Sequence, residues 1–274
     1  MQHLDFELTA GDGVRLHGRT WQPETEPRGT VCLVHGLGEH SGRYAHVGRY
    51  LNGSGYAVLV MDLRGHGTSE GKRGHSPGYD TLMSDITLLL RQAERLHADR
   101  PVFLYGHSMG GNLVLNYLLR HTPTPKGAIA TAPLLRTAFA PPAWKTILMR
   151  AMLRLWPSMS VSSGLCVGDL SHDPEVIRAY NEDPLVHDRL TPRFLGILEA
   201  GLWAVNHAHT LSIPLLIMHG DSDRVTSTGA SIEFASRAGS ICTLKIWEGL
   251  YHEIHNEPEK EDVLAHLAEW LGGM

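Results

Sequence analysis

The chain has 274 residues, 42% of them hydrophobic and 19% charged, which suits one large domain, or one domain with an insertion, around an ordinary buried core. Its formal net charge is −5 and no basic block stands out, so a nucleic-acid partner has no electrostatic support. Cys32, Cys166 and Cys242 are odd in number and widely spaced, which argues against a disulfide framework or a zinc site, and no stretch approaches the ~18 apolar residues of a membrane span.

The opening MQHLDFELTAGDG carries Asp5 and no apolar run. No signal peptide is read from it, and the expected setting is cytoplasmic. Residues 7–22 show two alternating runs around Gly11-Asp12-Gly13, the pattern of an antiparallel hairpin. Short apolar runs of strand character then recur at 30–34, 56–62, 101–106, 127–132, 214–220 and 242–247. They are apolar nearly throughout, as strands are when both faces of a sheet are covered. Helix-like segments lie between them. In 78–97, Leu82, Ile86, Leu89 and Leu90 share one face. The last helix, 259–271, has acidic residues in its first turn. Strand alternating with helix predicts an α/β fold with a mainly parallel sheet.

From about Pro133 to His209 the rhythm stops. Prolines cluster at 141–142, and 144–156 (WKTILMRAMLRLW) reads as an amphipathic helix. We expect a core of 1–132 and 210–274 with a helical lid at 133–209. The lid's apolar stripe is expected to be covered, either by the rest of the protein or over an apolar site.

The segment VFLYGHSMGGN, followed by NLVLNYLLR, is strand, Gly-x-Ser-x-Gly, then helix. That context is what a nucleophile elbow requires. Gly106 and Gly110 remove Cβ atoms that would clash on so sharp a turn. Ser108 would then stand clear, with the Met109 N–H at the helix start aimed at an oxyanion. A serine needs a base, and in this fold the order is Ser, acid, His. HGDSDRV offers Asp221 and Asp223 just past a strand, and YHEIH offers His252 and His255 past the next; spacing alone leaves both choices open. The loop His35-Gly36-Leu37-Gly38 follows an early strand, and its Leu37 N–H is the candidate second oxyanion donor. Asp62 and His66, in DLRGHG, precede the elbow and are read as a structural loop. Despite 18 histidines, the HEIH spacing departs from the helical zinc pattern, so no metal is expected.

HGLGEHSGRY (35–44), DLRGHGTSEG (62–71), GHSMGG (106–111), HGDSDRV (219–225) and GLYHEIHNE (249–257) together resemble the monoacylglycerol lipases and related lysophospholipases, serine hydrolases of the α/β-hydrolase fold. The resemblance runs from the hairpin to the last helix and is weakest across the lid. It implies a triad of Ser108, Asp223 and His252, with an oxyanion hole from the Leu37 and Met109 N–H groups. It also implies a glycerol-binding cluster of Glu39, Arg43 and His255, with Tyr180 of YNEDPL nearby. Leu37 is larger than the residue many of these enzymes carry there. The implied reaction is hydrolysis of a monoacylglycerol to fatty acid and glycerol through an acyl-enzyme, with no cofactor. The implied partner is the lipid ester, with peripheral membrane contact through the lid. A lysophospholipase or a general carboxylesterase would share every catalytic residue. A non-catalytic ligand-binding relative is the reading from another class, and the complete triad argues against it.

Overall fold

A computed structural model describes residues 3–122, 125–140 and 142–274, so Pro141 of the proline pair falls outside it. The hairpin forms as its alternation predicts: β1 (His3–Thr9) pairs antiparallel with β2 (Arg15–Trp21). Gly13 turns the corner at φ 86°, and its N–H donates to the Ala10 carbonyl at 2.9 Å. The strands that follow are β3 (Gly29–Val34), β4 (Tyr56–Met61), β5 (Val102–His107), β6 (Gly127–Thr131), a short pair β7 (Val161–Ser162) and β8 (Arg189–Leu190), then β9 (Leu215–Gly220) and β10 (Cys242–Trp247). Across the main sheet the order is β1-β2-β4-β3-β5-β6-β9-β10. β2 joins β4 antiparallel, and every pairing from β4 to β10 is parallel.

The apolar runs are continuous because alternate residues feed two cores. Val31, Leu33, Val58, Val60, Phe103 and Tyr105 face one layer, with helices α1 (Ala45–Gly53) and α8 (Lys260–Gly272). Cys32, Val34, Leu59, Met61 and Leu104 face the other, with α2 (Tyr79–Leu96) and α3 (Met109–Arg120) among its helices. β10 differs, being an edge strand with mostly half-buried residues.

The strand order also places the site. From β3 the chain moves to β4 on one side, then returns to lay β5 on the other. Loops leaving the C-terminal ends of β3 and β5 therefore diverge, which opens a crevice where such sheets bind ligands.

The DLRGHG loop is structural, as its position before the elbow predicts. Asp62 accepts from the N–H groups of Ser41 (2.7 Å) and Thr68 (2.9 Å). Buried Arg64 donates twice to buried Asp85 on α2, at 2.6 and 2.8 Å, and also to Asp12 of the hairpin turn.

The insertion holds α4 (Ala143–Leu155), the β7–β8 pair, α5 (Pro174–Glu182) and α6 (Leu195–His207). α6 packs on α3 and contributes Ile197, Ala204 and Val205 to the core, so the part of 133–209 that stands off the sheet ends before it. α4 departs from expectation. None of its residues is buried, and much of its apolar surface is left uncovered: Trp144 is 62% exposed, Ile147 67% and the last residue of the helix, Leu155, 69%, with Trp156 just beyond it at 65%. Among the described residues, no helix is long and apolar enough to cross a membrane.

Candidate active site

The serine sits where strand becomes helix. β5 ends at His107, α3 begins at Met109, and Ser108 between them adopts φ 55°, ψ −117°, a conformation that side chains other than glycine avoid. The surrounding backbone holds it. Ser108 N–H donates to the Thr131 carbonyl at 3.0 Å, and its own carbonyl accepts from Asn112 and Leu134. The flanking glycines are sterically required. A Cβ on Gly106 would lie 2.4 Å from the Gly110 carbonyl oxygen, and one on Gly110 only 2.0 Å from that of Val34. Gly111, which the motif does not specify, is tight as well: its Cβ would come within 2.9 Å of the Pro133 Cα. Met109 opens α3, so its N–H is among the first-turn donors with no intrahelical acceptor.

The loop after β3 that carries Leu37 presses against the same serine, a Cβ on Gly36 falling 3.2 Å from the Ser108 Cβ. Glu39 anchors this loop. Its Oε1 accepts from the Gly36 N–H at 2.6 Å and from the Tyr44 hydroxyl at 2.8 Å.

Loops from β9 and β10 complete a hydrogen-bonded chain. His252 Nε2 lies 2.9 Å from Ser108 Oγ, and its Nδ1 lies 2.8 Å from Asp223 Oδ2. Asp221 faces away and closes a turn, its Oδ1 accepting from the Gly249 N–H at 2.7 Å. Geometry therefore separates the two aspartates that spacing left open. It separates the two histidines as well. His255 reaches neither serine nor aspartate; it is buried, stacked on Tyr44 at 5.1 Å and edge-on to His107 at 4.7 Å.

Burial pushes the Asp223 carboxyl up, but the His252 charge and the hydrogen bonds from His219 and His252 outweigh it, so the carboxyl stays well below the usual range. For His252, burial acts downward and is outweighed by Asp223, with smaller help from Glu253 and Glu39, so its pKa is raised. His107, beside it, is pushed down to about 4, mainly by burial.

The serine opens onto a cavity of about 300 Å³. Leu134, Leu165, Leu170, Leu190 and Phe194 make one part of it apolar, while Glu39, Tyr180 and Glu253 supply polar groups. Of the implied head-group residues, Glu39 and Tyr180 line this space; Arg43 and His255 do not. Arg43 lies behind, under the Tyr180 ring (4.8 Å), and its guanidinium donates to both oxygens of Glu253 at 2.7 Å and to Glu39 at 2.9 Å. No sequence motif points to Glu253. Its only local signal is its place directly after His252, and its partner Arg43 is 210 residues away. Nor does any motif point to Glu257: buried, it accepts from the N–H groups of Tyr251 and His172 and so ties the His252 loop to the segment before α5.

An elbow serine after β5, an aspartate after β9 and a histidine after β10, gathered at the C-terminal edge of a mainly parallel sheet, define a serine hydrolase of the α/β-hydrolase fold. The family described as serine aminopeptidase, S33 matches residues 25–259, and the chain belongs to that family, together with the monoacylglycerol lipases that it matches over nearly its whole length. A monoacylglycerol lipase of Mycolicibacterium smegmatis is 35% identical over 262 residues, covering 94% of this chain and 93% of that protein. An uncharacterized abhydrolase domain-containing protein of Dictyostelium discoideum is 38% identical over 271 residues, and this chain spans 28% of its length. The crystal structure of Paleococcus ferrophilus monoacylglycerol lipase superposes with a TM-score of 0.84 at 32% identity, over 99% of this chain and 98% of that one.

The geometry sets two expectations. Asp223→Asn should lower kcat by about 10⁴-fold, as when a triad acid is neutralised, whereas Asp221→Asn should keep most activity. The acid limb of kcat/KM should lie above the ordinary imidazole range, because His252 must be neutral to accept a proton and its pKa is raised. Steady-state kinetics of both variants, with a pH profile of the unsubstituted protein, check them; an Asp221 variant as damaged as the Asp223 variant contradicts the assignment.

Proposed function

We propose that this chain is a monoacylglycerol lipase, hydrolysing a long-chain monoester of glycerol through an acyl-enzyme on Ser108. The observation that carries the reading is the Ser108–His252–Asp223 hydrogen-bonded chain opening into a cavity with apolar and polar parts. The similarity to monoacylglycerol lipases over nearly the whole chain supports the substrate. His252 Nε2 takes the Ser108 proton as Oγ attacks the ester carbonyl. Asp223 holds the imidazole in the tautomer that accepts at Nε2 and stabilises the imidazolium that forms. The Leu37 and Met109 N–H groups receive the oxyanion; losing one such donor costs about 3 kcal/mol of transition-state stabilisation. Glycerol departs with the proton from His252, and water then repeats the sequence on the acyl-enzyme.

In this reading Glu39 and Tyr180 meet the glycerol head directly, and Arg43 and His255 act through them. Arg43 is held by two carboxylates and has no free face toward the cavity. His255 supports Tyr44, which in turn holds Glu39.

The uncovered stripe of α4 supports peripheral contact with a lipid surface, where the substrate resides. Trp144, Ile147 and Leu155 are exposed on a helix that also carries Lys145, Arg150 and Arg154, the pairing of apolar and cationic side chains that suits an interfacial helix.

A panel of monoacyl-, diacyl- and triacylglycerols, lysophospholipid, short nitrophenyl esters and an aminoacyl amide tests the substrate. Monoacylglycerol should give the highest kcat/KM; faster turnover of short esters or of the amide contradicts the proposal. The lid claim is tested by cosedimentation with anionic phospholipid vesicles. The Trp144→Ser, Trp156→Ser double variant should bind them less while hydrolysing a short soluble ester at the unsubstituted rate. Undiminished vesicle binding contradicts the contact.

A further inference from the structure

A second imidazole converges on the triad acid. His219, the residue before the last of β9, is fully buried. Its Nε2 lies 3.0 Å from Asp223 Oδ2, the oxygen that also faces His252 Nδ1. Its Nδ1 lies 2.8 Å from Ser231 Oγ on α7 (Thr228–Ala238). A buried imidazole is costly unless its nitrogens are bonded, and both are bonded here. His219 is absent from the cavity wall, so it contacts no substrate.

We propose that His219 is a positioning residue for the hydrolysis: its Nε2–H, fixed in that tautomer by the Ser231 hydroxyl donating to Nδ1, locks the Asp223 carboxylate toward His252. The inference rests on the triad proposed above. A carboxylate offers roughly four lone-pair directions. The N–H groups of Val225 (2.7 Å) and Thr226 (2.9 Å) occupy Oδ1, and His219 and His252 share Oδ2. The Thr226 hydroxyl, 2.8 Å from Oδ2 and 3.0 Å from the Ala132 carbonyl, flanks the same oxygen. With His219 in place the carboxylate has no free rotation. Without it Oδ2 keeps fewer donors, so the carboxylate charge draws more strongly on the His252 proton.

The charged groups around His252 are Asp223 from the β9 loop, Glu39 and Arg43 from the segment after β3, and Glu253 beside it. The imidazoles of His107 from β5 and His255 pack close by, and burial drives both toward the neutral form. None of these changes when residue 219 does, so a shift of the acid limb reports on the His219–Asp223 contact.

The test compares His219→Leu, His219→Gln and Ser231→Ala by kcat, KM and the pH profile of kcat/KM on monoacylglycerol. His219→Leu should lower kcat by about 10- to 100-fold, the worth of a hydrogen bond to a charged group, leave KM little changed, and move the acid limb to higher pH. His219→Gln places an amide N–H near the lost Nε2–H and should restore most of kcat and return the limb. Ser231→Ala should show a smaller loss with the limb moved the same way. A Leu variant with unaltered kcat and limb, or a Gln variant as damaged as the Leu variant, overturns the proposal. If the Leu variant does not fold, an unaltered Ser231→Ala profile overturns it. Failure of the unsubstituted protein to hydrolyse the ester counts against the proposed function and takes this inference with it, whereas failure confined to the variants' predictions leaves that function standing.

Discussion

The active site depends on a close backbone contact. At the end of β5 the chain must turn into α3 so sharply that Gly110 lies against the Val34 carbonyl, where a methyl group would sit 2.0 Å from the oxygen. At that turn Ser108 takes a positive φ, at a strain cost of order 1–3 kcal/mol for such a conformation. The strain persists because the layer around it is fixed. Thr131 on β6, Asn112 on α3 and Leu134 beyond β6 all hydrogen-bond the Ser108 backbone. The same crowding brings the β3 loop against the serine, a Cβ on Gly36 falling 3.2 Å from the Ser108 Cβ. One steric constraint thus fixes the turn on which Ser108 sits.

Electrostatics supplies the second layer. Buried carboxylates are costly unless paired, and here each has several donors. Asp223 is held by backbone and imidazole N–H groups, while Glu39 and Glu253 share the guanidinium of Arg43. The Arg43 set joins the loop after β3, through Glu39 and the Gly36 N–H, to the segment that carries His252, through Glu253. Two loops from opposite parts of the chain are therefore connected by ion pairs rather than left to move independently. Glu257 extends the connection to the segment before α5 through His172.

The sheet was legible because a strand covered on both faces must be apolar along its length. The runs at 30–34, 56–62, 101–106, 127–132 and 214–220 match observed strands to within a residue at either end for this reason. The elbow was legible because its glycines answer to sterics that any such turn imposes. What lay hidden was long-range or directional. No local pattern reveals that Arg43 pairs with Glu253, that the Gly249 N–H claims Asp221, or that His219 turns toward Asp223 and not outward. The stripe of 144–156 predicted a helix, but periodicity reports only that one face is apolar, not what covers it. The head-group cluster divided for a similar reason: a motif fixes residue types, while the Glu39–Arg43–Glu253 pairing decides which of them reach the cavity.

The central claim is that the elbow presents Ser108 as the nucleophile. Labelling with a fluorophosphonate, followed by mass-spectrometric mapping of the modified peptide, tests it directly. The account predicts a single adduct on Ser108, formed with loss of esterase activity and absent from Ser108→Ala. An unlabelled protein, an adduct elsewhere, or full activity in Ser108→Ala would contradict it.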